Sequence, residues 1–124
     1  MAEHNQPLKL PPQSIEAEQA VLGCMLIDPE AVSRVLHLLS KKSFYITVHS
    51  HIYSAMVSLF DKNEAIDNIS VTDELKKSGK LEEVGGAYFI TGLSSEAPSA
   101  ANVDYYAKIV KEKEILRSII QSAV

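Results

Sequence analysis

The stretch from Ala20 to Ile27 constrains the fold most, because nearly every side chain in it is apolar. Ser14 supplies a helix N-cap before it, and Glu16 and Glu18 fall in the first turn, where the helix dipole favours negative charge. A helix that is apolar on all sides has to be buried on all sides. Residues 14–27 are therefore predicted to form the central helix, with other helices packed around it.

Helical periodicity continues along the rest of the chain, with recognisable residues at most helix boundaries. Asp28 and Pro29 suit the N-cap and the first residue of a second helix. Ser70 to Asp73 has the spacing of a capping box, and Gly79 supplies a stop. The helices predicted after the first cover residues 29–39, about 48–62, 71–78, 87–93 and a final stretch capped by Ser99 or Asn102.

The third predicted helix has one apolar side and one polar side. Its buried side is predicted to hold Phe60 with Ile52, Ala55, Met56 and Leu59, and its exposed side Ser50, Ser54, Ser58 and Asp61. No segment alternates apolar and polar residues, and no Asn-Gly or Asp-Gly hairpin turn occurs. The sequence therefore predicts an all-α domain, a compact bundle of about six short helices.

Length, composition and charge narrow the function classes. The 124 residues are 46% hydrophobic, which suits one domain with its own core. The net charge of −4 argues against a free-standing nucleic-acid binder. The polar start cannot be a signal peptide and no apolar run is long enough to span a membrane, so we expect a soluble cytoplasmic protein. Residues 1–13 contain three prolines and are expected to form a flexible arm.

The last helix changes its apolar face along its length. Successive residues of a helix are rotated by about 100° around its axis. In the first half of this helix, four apolar residues therefore lie on one side: Val103, Tyr106, Ala107 and Val110. In the second half, Ile115, Leu116, Ile119 and Ile120 lie on a side roughly 100° away from the first. Tyr105 and Ile109 adjoin this second side. The first face is predicted to pack on the domain. The second needs a partner, which is either another copy or a later helix of the same chain.

No catalytic, cofactor-binding or metal-binding residue is predicted. His49 and His51 lie on different faces of a helix, and His49 is expected to be a structural hydrogen-bonding residue near Tyr45. Cys24 is expected to be a buried, unreactive thiol. The acidic pairs Glu16/Glu18 and Glu82/Glu83 are interpreted as solvated helix termini. The basic residues of the last helix are interpreted as a solvated face, with a phosphate track as the alternative: Lys108, Lys111, Lys113 and Arg117.

Four segments, taken together, resemble the N-terminal domain of the bacterial replicative DNA helicase, the DnaB family. They are Pro11 to Gly23 (PPQSIEAEQAVLG), Phe44 to Tyr53, Leu81 to Tyr88 (LEEVGGAY) and Pro98 to Val110 (PSAANVDYYAKIV). Two departures are Lys41-Lys42-Ser43, where the family often has proline and acidic residues, and Cys24, where a small residue is common.

The resemblance implies a helical head followed by a helical hairpin. Residues 14–98 would be the head and residues 99–124 the first arm of that oligomerisation hairpin, cut before its return arm. Because the last helix has no stop signal, its end is expected to be missing, and the fragment alone is expected to be mainly monomeric. In the parent, paired domains would form a trimer-of-dimers collar on a hexameric ring. The arm residues Tyr105, Ile109, Ile115, Leu116, Ile119 and Ile120 would then be the oligomer interface.

The resemblance also implies partners and cofactors. The collar would receive a DnaG-type primase and respond to a helicase loader, with Glu16 and Tyr88 as candidate primase-docking residues; a core position for Tyr88 is the alternative. ATP, Mg²⁺ and the DNA within the ring would be bound by an absent RecA-like domain of the parent, at bacterial replication forks. Two other hypotheses are a stand-alone helical adaptor and a weak single-stranded DNA-binding module that uses the lysines of the last helix.

Overall fold

The computed structural model describes residues 10–123, and these residues form six α-helices. In chain order they are α1 (Ile15–Ile27), α2 (Pro29–Leu38), α3 (Thr47–Asp61), α4 (Asn68–Lys77), α5 (Gly86–Ser95) and α6 (Val103–Ser122). Short 3₁₀ turns at Lys41–Ser43 and Ala100–Asn102 precede α3 and α6. Residues 10–123 contain no β-strand, so the predicted all-α class is confirmed. Most of the predicted flexible arm lies outside the described residues.

Helix α1 is the centre of the bundle, as the sequence predicted. It packs against α2, α3, α5 and α6. Val21, Leu22 and Met25 are fully buried, and so is Cys24, whose thiol faces the carbonyl of Pro98 at 3.7 Å. Burial, together with the nearby charge of Asp28, raises the pKa of the Cys24 thiol. The prediction that Cys24 is buried is therefore confirmed.

Gly23 is the point of closest approach between α1 and α5. A Cβ atom at this position would lie 2.3 Å from the carbonyl oxygen of Leu93 and 2.9 Å from the Cβ of Ala97. Both distances are shorter than van der Waals contact, so only a residue without a side chain fits here. The single interruption of the apolar run is thus a packing requirement.

The starts of the first two helices follow the prediction, and that of α4 does not. Ser14 Oγ accepts a hydrogen bond from Ala17 N at 3.2 Å, and Asp28 Oδ1 accepts one from Glu30 N at 3.0 Å. Helix α4 begins earlier than predicted, because Asp67 is its N-cap. Asp67 Oδ1 accepts from Ser70 N at 2.8 Å while Ser70 Oγ accepts from Asp67 N at 2.9 Å. The capping box predicted at 70–73 is therefore wrong, and a capping box three residues earlier replaces it.

Two facing predictions for α3 are also wrong. Phe60 is 47% exposed, because Leu59 takes the inward position in the last turn of this helix. Ser50 is buried, and its hydroxyl donates to the carbonyl of Thr47 at 2.9 Å, so burial leaves no unpaired donor. Ser58 is partly buried and donates to Glu74 Oε2 at 2.8 Å. No helix within residues 10–123 is both long and apolar enough to cross a membrane.

Candidate functional site

The first half of α6 is part of the core of the domain. Val103, Ala107 and Val110 are buried, while Tyr106 and Ile109 are partly buried and pack against the same cluster. This half of the helix lies against α1 and α2. The predicted packing face of α6 is therefore confirmed. Ile109, which was assigned to the second face and the oligomer interface, instead packs against the core.

One side of α6, mainly in its second half, presents apolar side chains to solvent. We define the arm face as the large apolar side chains of α6 that are 45% to 65% exposed, namely Tyr105, Ile115, Leu116, Ile119 and Ile120. Single exposed apolar residues are common on protein surfaces, whereas several on one side of a helix indicate a contact surface. Nothing within residues 10–123 covers the arm face.

Arg117 ties the second half of α6 to the head. Its Nη1 donates to the carbonyl of Pro12 at 2.8 Å, and its Nη2 donates to the carbonyl of Ser43 at 3.0 Å. The guanidinium carbon lies 5.5 Å from the centre of the Tyr45 ring. A planar guanidinium can bind two separate acceptors at once, which an ammonium group cannot do with the same geometry. The prediction that Arg117 belongs to a solvated basic face is therefore wrong.

Glu114 adds a second link at the same place. Its Oε1 accepts from Ser43 Oγ at 2.6 Å and from Lys111 Nζ at 3.3 Å. Burial acts to raise the pKa of Glu114, but these two hydrogen bonds and the charges of Lys111 and Arg117 outweigh it and lower the pKa. Two of the four basic residues proposed for a phosphate track are thus occupied by contacts within the domain.

Glu16 and Tyr88 meet at a second surface. Both line a groove of about 680 Å³ between α1 and α5, whose wall also includes Phe89 and Tyr106. Tyr88 is 91% exposed, which excludes the alternative that it is a core residue. The structure brings the two predicted docking residues together, and their role in binding a partner stays a prediction.

The polar side chains of the described residues are dispersed. Within residues 10–123, no three His, Cys, Asp or Glu side chains are grouped so that they could hold a metal ion. His51 Nε2 lies 3.0 Å from Glu83 Oε2 in a partly exposed pair.

Comparison with known proteins assigns the chain and its fold to one family. The family described as DnaB-like helicase N terminal domain matches residues 10–112. The chain belongs to this family. The N-terminal domain of DnaB helicase from Mycobacterium tuberculosis, known from its crystal structure, has a TM-score of 0.88 and 40% sequence identity to this chain. That similarity covers 92% of this chain and 83% of the other.

Curated relatives of this DnaB-like domain are much longer proteins. It is 48% identical over 115 residues to the replicative DNA helicase DnaC of Bacillus subtilis and 46% identical over 115 residues to the replicative DNA helicase DnaB of Geobacillus stearothermophilus. Each match covers 93% of this chain but 25% of the relative. For the DnaB of Rhodothermus marinus, 45% identical over 116 residues, the matched share is 94% of this chain and 12% of the relative. The chain thus spans a quarter or less of these relatives.

The main buried polar residue of this DnaB-like domain was misread from sequence. Glu18 was predicted to be solvated, yet it is 1% exposed and lies in the core. Its Oε2 accepts from Tyr45 N at 2.8 Å, and its Oε1 accepts from Ile46 N at 3.3 Å and lies 2.8 Å from His49 Nδ1. The prediction of His49 as a structural hydrogen-bonding residue is confirmed. The only sequence signal for Glu18 was its place next to Ala17 and the apolar run that begins at Ala20.

Proposed function

We propose that this chain is the N-terminal collar domain of a hexameric, ATP-dependent replicative DNA helicase. In this proposal it acts in DNA replication by joining subunits and by docking primase and loader. Family membership supports the assignment, and the matched relatives are named replicative DNA helicases. ATP, Mg²⁺ and translocating DNA would be bound by a RecA-like domain of the parent protein, and no residue of this chain is assigned to them.

The exposed arm face carries the self-association part of the proposal. A helix rises 1.5 Å per residue, so the row from Tyr105 to Ile120 is about 22 Å long. Burying it against a neighbouring arm would contribute roughly 25 cal/mol for each Å² of apolar surface, before the cost of association. A stable interface usually buries about 800 Å² on each partner, more than one half-helix offers. A second arm from the parent would supply the remainder, so these 124 residues alone should associate weakly.

The two hydrogen bonds from Arg117 to Pro12 and Ser43, which we call the clasp, support the same role in a different way. Because Arg117 binds Ser43 of the head and Pro12 just before the head, the second half of α6 leaves the head in one fixed direction. A rigid arm loses less conformational freedom on pairing than a mobile one. The proposed collar would therefore be built from preorganised arms.

Self-association is tested by placing a charged side chain on the arm face. In the parent protein, Ile119→Lys should weaken assembly, and sedimentation velocity should show smaller species at a concentration where the natural protein is hexameric. The matched control is Ile69→Lys, since Ile69 is 82% exposed on α4 and lies outside the arm face. Equal assembly of the two variants would contradict the proposal. A tight hexamer from residues 1–124 alone would contradict the weak association expected of these residues.

Primase docking is tested at the groove between α1 and α5. Tyr88→Ala should weaken binding of the helicase-binding domain of a DnaG-type primase, while the melting temperature stays unchanged because Tyr88 is 91% exposed. Ile69→Ala, at a residue that is 82% exposed on α4 and lies outside this groove and the arm face, serves as the control. Unchanged affinity for Tyr88→Ala removes Tyr88 from the docking surface without affecting the self-association proposal.

A further inference from the structure

A third surface lies at the end of the head, away from the clasp. The end of α1, the start of α2, the end of α3 and the loop leading to α4 enclose a groove of about 590 Å³. We call it the α1–α3 groove. Its lining includes Ile27 and Phe60, which are 51% and 47% exposed, and the buried side chains of Leu26 and Val32.

The exposure of Ile27 and Phe60 is unusual for their positions. Each ends an apolar pattern on a helix that belongs to the core, and the periodicity of α3 predicted a buried Phe60. In the structure both instead border a concave apolar surface, which is how binding sites are usually formed. Within residues 10–123 nothing fills this groove.

The charges around the groove are acidic. Its lining residues include Glu64 and Asp67 and no lysine or arginine, and the exposed Asp61 follows Phe60 directly. Asp67 is committed to capping α4, whereas Asp61 and Glu64 have no side-chain partner within the described part of the chain. The nearby cations have other partners: Lys62 Nζ lies 2.9 Å from Glu74 Oε1. Lys77, whose charge also interacts with Glu64, pairs with Asp73 Oδ2 at 3.2 Å.

We propose that the α1–α3 groove binds a basic amphipathic helix of a partner protein. Apolar side chains of that helix would pack on Ile27 and Phe60, while its lysines or arginines would face Asp61 and Glu64. A peptide cannot bind here by adding a strand, because residues 10–123 contain no sheet edge. The helix-in-groove mode fits an apolar floor with a charged rim of one sign.

This site is separate from the arm face. Ile27 is the last residue of α1, whereas Arg117 binds Pro12, just before the first turn of α1. A helix of 13 residues is about 20 Å long. The groove between α1 and α5 that holds Glu16 also opens near the first turn of α1. A partner in the α1–α3 groove would leave both other surfaces free, and the inference does not rest on the proposed function.

The charge requirement is tested with a designed probe. A fluorescein-labelled helical peptide of about 15 residues, with leucine on one face and lysine on the others, is titrated with the 124-residue chain, and its anisotropy is followed. Saturable binding is expected, with affinity at least about tenfold weaker when every lysine is replaced by glutamate. Asp61→Lys/Glu64→Lys should also weaken binding about tenfold. Glu82→Lys/Glu112→Lys, which changes the net charge equally at exposed positions elsewhere, should not.

The apolar requirement is tested with a second matched pair. Phe60→Ser should weaken binding of the leucine–lysine peptide about tenfold, while Ile69→Ser, at an exposed residue outside the groove, should not. Melting curves check that each variant is folded. Amide chemical shifts in ¹H–¹⁵N spectra should change at residues of the groove.

Three results would overturn the inference. The first is the absence of saturable binding up to about 1 mM peptide. The second is equal affinity of the two charge-reversed double variants, which would show non-specific attraction to an acidic protein. The third is a set of shift changes confined to α6 or to the surroundings of Tyr88.

Discussion

Removing the buried carboxylate of Glu18 should destabilise the domain more than removing any exposed carboxylate. Glu18 is 1% exposed and faces three polar groups: the backbone N–H groups of Tyr45 and Ile46, and the ring of His49. Glu18→Ala leaves these groups without a partner in a region that water does not reach. An unsatisfied buried group costs about 1–3 kcal/mol, and breaking a buried pair from one side costs about 3–5 kcal/mol. We expect the free energy of unfolding to fall by about 3–5 kcal/mol.

Glu18→Gln separates the loss of charge from the loss of hydrogen bonds. The amide oxygen can still accept from Tyr45 N, and the amide nitrogen can donate to Nδ1 of His49 when the ring carries its proton on Nε2. Only the 3.3 Å bond from Ile46 N then lacks an acceptor. The expected loss is therefore smaller, about 1–2 kcal/mol.

The assay is urea denaturation followed by circular dichroism, with linear extrapolation to water. Glu16→Ala is the matched control, because Glu16 lies in the same first turn but is exposed. Both substitutions remove a carboxylate that the dipole of α1 favours, so their difference isolates the buried contacts. If the free energies of unfolding of Glu18→Ala and Glu16→Ala differ by less than about 1 kcal/mol, the reasoning is refuted, because the buried pair then does not hold the start of α3 against α1.

Three further predictions follow from the same contacts. Gly23→Ala should lower the free energy of unfolding by about 1–3 kcal/mol, because its Cβ would lie 2.3 Å from the carbonyl oxygen of Leu93 in α5. Gly92→Ala should raise it by up to about 1 kcal/mol, because a Cβ there would meet nothing within 4 Å. Thermal melts of the two variants test this difference. Arg117→Ala should speed amide hydrogen exchange in the last turns of α6 and cost about 1–2 kcal/mol, while Lys113→Ala should leave exchange unchanged. Glu114 has a lowered folded-state pKa, so its contribution to stability is complete above the unfolded pKa near 4.3 and is lost as the pH falls through the folded value. Urea midpoints between pH 6 and pH 3 should therefore fall less steeply for Glu114→Gln than for the natural chain, and parallel curves would contradict this.

The sequence was most informative where a pattern is local and repeated. The apolar run of α1, the N-caps Ser14 and Asp28, and the change of face along α6 are all set by residues within a few turns of one another. Such patterns depend on the helical period and on capping chemistry alone. The resemblance to a helicase family, carried by four segments in order, was likewise visible in the sequence and is confirmed by the family match.

Sequence reasoning failed where a side chain is defined by a partner far away in the chain. Glu18 and Arg117 carry charges that ordinarily indicate a solvated surface. The first is buried by groups 27 to 31 residues later, and the second is bound by carbonyls 74 and 105 residues earlier. Contacts across such separations do not alter the spacing of apolar residues along a single helix. Phe60 fits the apolar side of α3, yet the packing of neighbouring helices decides that it stays exposed.

The sequence by itself determined the class of the fold, its central helix and the two faces of α6, because these follow from the spacing of apolar residues along single helices. Only the tertiary structure decided which charges are buried, in which direction the arm leaves the head, and that Glu16 and Tyr88 share one groove. Those features depend on the distances between elements that are remote in sequence. A one-dimensional pattern does not contain such distances, and packing the helices around α1 fixes them.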